Sequence, residues 1–160
     1  MEKQIIQDLY SDDFSHCYGC GRLNDHGLQI KSVWDGKEAV AIYHPRPYEQ
    51  AFPGYVYGGL LASLIDCHAI GTAAAARYAA EGRPMGSEPQ LRYVTASLKV
   101  DFLRPTPMKV PLEVRAHATE IKGRKVVLEA SVLAEGEVCA TGHVVAVQMP
   151  DYMANLIESK

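Results

Sequence analysis

From Tyr57 to Ala80 the chain reads YGGLLASLIDCHAIGTAAAARYAA, a long alanine-rich run without a proline. Leu60, Leu61, Leu64 and Ile65 form one apolar stripe, so the run predicts a central buried helix. The polar breaker Glu81-Gly82-Arg83-Pro84 ends it. A chain of 160 residues, 48% hydrophobic and 22% charged, is long enough for one sizeable core and short for two. The expectation is one domain over 1–160, with 1–15 an N-terminal helical extension and 150–160 a tail.

On either side of that run the hydrophobic period changes. Leu28–Val33 and Glu38–Tyr43 read as short strands about an Asp35-Gly36 turn. Ala96, Leu98, Val100 and Phe102 alternate with Thr95, Ser97, Lys99 and Asp101, which places Thr95 on the polar face of its strand. Pro105 and Pro107 end that strand. Val110–Glu120, Arg124–Ala134 and Glu137–Gln148 follow, with turns at Lys122-Gly123 and Glu135-Gly136, so four strands are expected to run as a meander. Ile5, Ile6 and Leu9 predict a short amphipathic helix over Glu2–Tyr10, and Asp151–Glu158 a last one. The sum is an α+β domain in which an antiparallel sheet wraps one long helix.

Charge and targeting signals narrow the partners. A net charge of −3 lacks the basic surplus of a nucleic-acid-binding domain. The opening MEKQIIQDLYSDD is too acidic and polar for a secretion signal, and no stretch reads as a membrane span. A reducing, cytoplasmic setting is expected, and four cysteines in a chain this size do not require a disulfide scaffold.

The element order resembles the hotdog fold, in which a curved sheet wraps a long helix. Shorter words carry a more specific likeness. Cys17-Tyr18-Gly19-Cys20-Gly21, then Asn24, then Gly27-Leu28, resembles the opening of the PaaI-type branch of acyl-CoA thioesterases. Phe52-Pro53-Gly54-Tyr55-Val56-Tyr57-Gly58-Gly59, followed by Leu64-Ile65-Asp66, resembles that family's loop-to-helix signature. Thr95-Ala96, Arg104-Pro105 and Gly123-Arg124-Lys125 continue the likeness in order, so that it runs from Cys17 to Val147. The family usually has His-Gly-Gly where this chain has Tyr57-Gly58-Gly59. Tyrosine keeps a hydrogen-bonding tip but is no titrating base at ordinary pH.

The resemblance implies hydrolysis of a fatty or aromatic acyl-CoA without a cofactor, in a homodimer or a dimer of dimers. It implies that Thr95 orients Asp66 or the lytic water. Arg124 and Lys125 would hold the coenzyme A phosphates with help from Arg104, and Tyr57 would stand at the substrate.

Such chemistry needs a carboxylate that attacks the carbonyl or activates water, and donors for the developing oxyanion. Gly58 and Gly59 at a helix start offer free N–H groups, the positive end of the helix dipole and no side chain in the way. Asp66 is the only acidic residue between Glu49 and Glu81, set among Ala62, Ser63, Ala69 and Ile70. It suits either a general base or a nucleophile. Eight residues of one helix rise about 12 Å, too far for a single carbonyl to touch both Gly58 and Asp66. If both act, one chain's Gly58 must meet another chain's Asp66.

Two other functions fit the same fold: an acyl-CoA-binding protein without catalysis, and a hydratase or dehydratase. The second wants an Asp–His pair, and His68, two positions from Asp66, faces another way. Cys17 and Cys20 form the one CxxC, with His16 and His26 nearby. Cys67 and Cys139 sit singly in a predicted helix and strand, so neither a metal site nor a redox motif is expected.

Overall fold

The proline-free run folds as helix α1, Gly58–Ala80, in a computed structural model that describes residues 3–160. Glu2, where the N-terminal helix was expected to start, lies outside the described residues. Six strands form one antiparallel sheet: β1 Val33–Trp34, β2 Glu38–Tyr43, β3 Tyr93–Phe102, β4 Leu112–Lys122, β5 Lys125–Ala134 and β6 Glu137–Gln148. A terminal helix, α2, covers Asp151–Glu158 as expected. Leu64 and Ile65 on α1 are fully buried, as are Leu112, Val114, Leu128 and Val144 on the sheet. Helix and sheet meet closely at Gly142, where a Cβ would lie 2.4 Å from Ile65 Cγ2. This is the hotdog arrangement.

The strand order corrects one expectation. It runs β1-β2-β4-β5-β6-β3, so only β4, β5 and β6 form a meander. The chain leaves β2, crosses the sheet as α1 and returns as β3 at the opposite edge, beside β6. Local periodicity finds strands but carries no information on their neighbours. The placement leaves β3 as a ten-residue edge strand with an open row of backbone donors and acceptors. Leu98, Phe102 and the adjoining Leu103 are 38%, 58% and 58% exposed along that edge.

The N-terminal region is less regular than its pattern predicts. Short 3-10 turns at Ile6–Leu9 and Asp12–Phe14 replace the single amphipathic helix. The expected strand Leu28–Val33 survives only where Val33 enters β1. Leu28 and Ile30 are buried nonetheless, because their N–H groups donate to the carbonyls of Tyr18 (2.8 Å) and Gly19 (3.1 Å). Those bonds fasten the cysteine loop to the core.

By length and composition α1 is apolar enough to cross a membrane, yet it is the core helix here, enclosed by the sheet. Its one fully buried polar side chain of large size, His68, is satisfied at both nitrogens. Nε2 donates to the Ala39 carbonyl (2.9 Å), and Ser32 Oγ donates to Nδ1 (2.8 Å). Gln7 closes the network by donating to Ser32 Oγ and accepting from the Ser32 N–H. Burial pushes His68 down to about 4 from 6.5.

This depressed value sets a pH dependence of stability. Below the unfolded value the unfolded chain binds a proton that the native imidazole refuses. Stability is therefore complete above pH ~6.5 and falls toward pH ~4, by about 3 kcal/mol from this group. Urea unfolding of His68→Asn across that range is expected to show a flatter pH profile than the parent. An unchanged slope would contradict the assignment.

Candidate functional site

Asp66 lies two turns into α1, half-buried, on the side that faces the bulged end of β3. The β3–β6 register slips between Thr95 and Ser97, leaving Ala96 as the extra residue. Past the bulge, Leu98, Val100 and Phe102 pair with Val144, Gly142 and Ala140 on the helix side. Before it, Thr95 pairs with the fully buried Ala146, also on the helix side. Thr95 therefore sits on the inner face, not the polar one, because a bulge breaks the period of two. Its hydroxyl donates to Asp66 Oδ1 at 2.5 Å. No side-chain or backbone donor among the described residues occupies the other carboxylate oxygen.

Asp66 and Thr95 border a cavity of about 310 Å³. Ile70, Leu91 and Tyr93 give it apolar walls, and Leu9, Tyr10 and Phe14 of the N-terminal segment roof it. Such a volume lies at the small end of the roughly 300–1,000 Å³ typical of small-molecule sites. Arg92, which sequence reasoning missed, stands at this cavity with its guanidinium 3.9 Å from the Phe14 ring centroid. Nothing in the local pattern around Arg92 marks it; the N-terminal fold brings Phe14 to it.

The glycine pair stands apart from the acid. A loop anchored by Glu49 positions the start of α1. Tyr43 Oη donates to Glu49 Oε1 (2.7 Å), the Arg46 N–H donates to Oε2 (2.8 Å), and the Tyr57 N–H donates to the Glu49 carbonyl (3.0 Å). The N–H groups of Gly58 and Gly59 have no acceptor among the described residues, and no acidic residue occupies the first turn. The positive helix end thus remains open to an anionic oxygen. The Tyr57 ring lies against Gly59, where a Cβ would be 2.3 Å from Tyr57 Cε1. A Cβ on Gly58 would touch the Phe102 ring at 3.4 Å.

The remaining candidates divide between the two ends. Arg104 lines a second, open depression with Gly58 and Phe102, and is ion-paired with Glu137. Arg124 donates to the carbonyl of Met149, a residue of the cavity beside Asp66, while Lys125 pairs with Glu120 at 3.3 Å. One chain therefore brings Asp66 and Thr95 together and places Tyr57, Gly58, Gly59 and Arg104 at the opposite end of β3.

The cysteines give the largest surprise. Cys67, expected to stand alone, meets the CxxC loop: the Sγ atoms of Cys17, Cys20 and Cys67 all lie within 4.8 Å of one another, with Cys17 to Cys67 at 3.7 Å. All three line the apolar cavity beside Asp66. Hydrogen bonding to the Cys20 and Cys67 thiols holds the Cys17 thiol well below its ordinary value, against the opposing effect of burial. As donors to Cys17, Cys20 is raised to about 12 and Cys67 is raised as well. His16 and His26 stay exposed and outside the cluster.

Comparison with known proteins agrees with this architecture. Residues 53–141 match the thioesterase superfamily. A crystal structure of a thioesterase superfamily protein from Shewanella loihica PV-4 is 45% identical, with TM-score 0.65 over 88% of this chain and 100% of that one. Acyl-coenzyme A thioesterase THEM4 of Bos taurus is 28% identical over 61% of this chain and 35% of its own length. The chain thus spans about a third of that curated relative's length. The phenylacetic acid degradation protein PaaI of Thermus thermophilus shares the fold at 23% identity and TM-score 0.58, over 76% of this chain and 95% of that one.

Proposed function

The chain belongs to the thioesterase superfamily, and on that premise we propose that it hydrolyses acyl-CoA thioesters with Asp66 as general base or nucleophile. The observation that carries this reading is the Thr95–Asp66 hydrogen bond at the edge of an apolar cavity. Thr95 holds one carboxylate oxygen and leaves the other for water or the thioester carbonyl. The cavity takes the acyl group, and its volume favours a compact one, aromatic or of modest chain length.

The oxyanion donors come from a second subunit in this reading. Pairing of β3 with its own copy about a two-fold axis at Lys99 sets Leu98 opposite Val100 on one face and, across the extra residue Ala96, brings Thr95 level with Phe102 of the partner subunit. Gly58 packs on Phe102 within each chain. The acid of one chain thereby faces the helix start of the other, and the exposed apolar edge of β3 is covered. Arg104 arrives with the partner's glycines, while Arg92 lines the acid's own cavity and Arg124 is tied to it only through Met149. Both positions suit coenzyme A phosphates. Four free cysteines suit the reducing cytoplasmic setting that belongs to this reading.

A hydratase lacks its histidine here: His68 is buried and bound to Ser32 and Ala39. A binding protein without catalysis draws support from Tyr57, whose ring lies on Gly59 at the position where the family resemblance implies a histidine. Thiol release from a panel of acyl-CoA esters separates the two. Sustained turnover, fastest with compact acyl groups, is expected. Binding without any release of free coenzyme A would favour the binding protein.

A further inference from the structure

Three thiols from two separate elements line one wall of the cavity, and hydrolysis of a thioester makes no use of them. Cys17 and Cys20 lie on the N-terminal loop and Cys67 on α1, directly after Asp66. We propose that Cys17, Cys20 and Cys67 form a binding site for a thiophilic divalent metal ion, Zn2+ by chemical class, whose fourth position opens into the cavity. This proposal does not rest on the thioesterase reading.

The geometry fits the ion. With Zn–S bonds of about 2.3 Å, tetrahedral ligands stand about 3.8 Å apart. Cys17 and Cys67 are 3.7 Å apart, and the other two pairs lie within 4.8 Å. Closing those pairs requires only small rotations of side chains already turned toward a common point. The backbone is shaped for this approach. A Cβ on Gly19 would lie 2.2 Å from Cys67 Sγ, and one on Gly21 would lie 2.5 Å from the Cys17 nitrogen. Gly19 leaves room for the loop to lie against Cys67 on α1, and Gly21 lets the loop fold back on its own backbone at Cys17 and Ser15. Gly21 N–H to the Cys17 carbonyl, at 2.8 Å, shuts the turn so that both loop sulfurs point the same way.

Three sulfurs and no fourth side chain in the cluster match the open type of zinc site, in which water or a ligand completes the tetrahedron. Thiolate donors select soft or borderline ions over Mg2+ or Ca2+. Cys17 is exposed, so an ion has a path in. The bound metal would staple the roof of the cavity to the helix that carries Asp66, so occupancy stabilises the fold against heat.

The test uses the full chain, reduced and stripped with a chelator, then titrated with Zn2+ against a chromophoric competitor and with Co2+ for the visible bands of a tetrahedral thiolate site. The expectation is one Zn2+ per chain. Replacing Cys17, Cys20 or Cys67 by serine is expected to weaken binding more than about 100-fold, beyond the usual cost of losing an outer partner. Cys139→Ser, at a buried core thiol outside the cluster, is expected to leave Zn2+ stoichiometry and affinity unchanged. A second measurement needs no variant. In the parent protein Zn2+ is expected to protect Cys17, Cys20 and Cys67 from alkylation, as read by mass spectrometry. Absence of stoichiometric binding, parent-like affinity in Cys67→Ser, or a disulfide among the three with no metal uptake after re-reduction would each overturn the proposal.

Discussion

Replacing Asp66 by asparagine is expected to lower kcat about 100- to 10,000-fold, the range associated with losing a positioned acid–base group. The change keeps the size of the side chain and an oxygen for the Thr95 hydroxyl, which donates to Asp66 Oδ1 at 2.5 Å. Folding is therefore expected to persist, and thermal unfolding provides the control. What disappears is a charge and a lone pair able to attack a carbonyl or take a proton from water. Thr95→Ala is expected to have a smaller effect, about 10- to 100-fold, because it removes one charge-assisted bond and leaves the carboxylate in place. Thr95→Ser keeps the hydroxyl and is expected to restore most of the rate. A parent-like rate in Asp66→Asn would remove this residue from the mechanism. Near-equal losses in the alanine and serine variants of Thr95 would point to packing rather than orientation.

Much of this arrangement is legible in the residues themselves. The limits of α1 follow from the glycines at 58 and 59 and from the breaker after Ala80. Asp66 stands out as a lone acid among apolar and small neighbours. The turns at Lys122-Gly123 and Glu135-Gly136 join strands that form close to where they are read, and Asp35-Gly36 leads into β2 as expected. What escapes local reading depends on contacts between distant segments. Alternation puts Thr95 on the outer face of β3, and a single extra residue at Ala96 returns it to the helix. Strand patterning also leaves the partner of β3 open, so its position at the far edge emerges only when α1 is laid across the sheet. Cys67 reads as a solitary thiol on a helix because its neighbours in space come from a loop fixed by Leu28 and Ile30. Those two residues are core without belonging to a strand.

The second large effect concerns the glycines. Gly58→Val is expected to reduce turnover by about 100-fold or more, on the scale of losing an oxyanion donor. The added side chain lies against Phe102, 3.4 Å from its ring at Cβ, and intrudes where a substrate carbonyl must approach the helix start. Yet in one chain this position is about 12 Å along α1 from Asp66. The defect should therefore be repairable by another subunit, and each homodimer should carry two equivalent composite sites. Breaking the two halves on different chains leaves one intact site in every mixed dimer, made from the undamaged acid of one chain and the undamaged helix start of the other.

Co-expression of Asp66→Asn and Gly58→Val chains with different affinity tags puts the composite site to its most direct test. Either variant alone is expected to be nearly inactive. Random mixing yields about half heterodimers with one working site each, so about a quarter of parental activity is expected to return, and doubly tagged dimers should hold all of it. Purified mixed dimers that stay as inactive as their parents, or a parent protein that is a fully active monomer, would contradict the account.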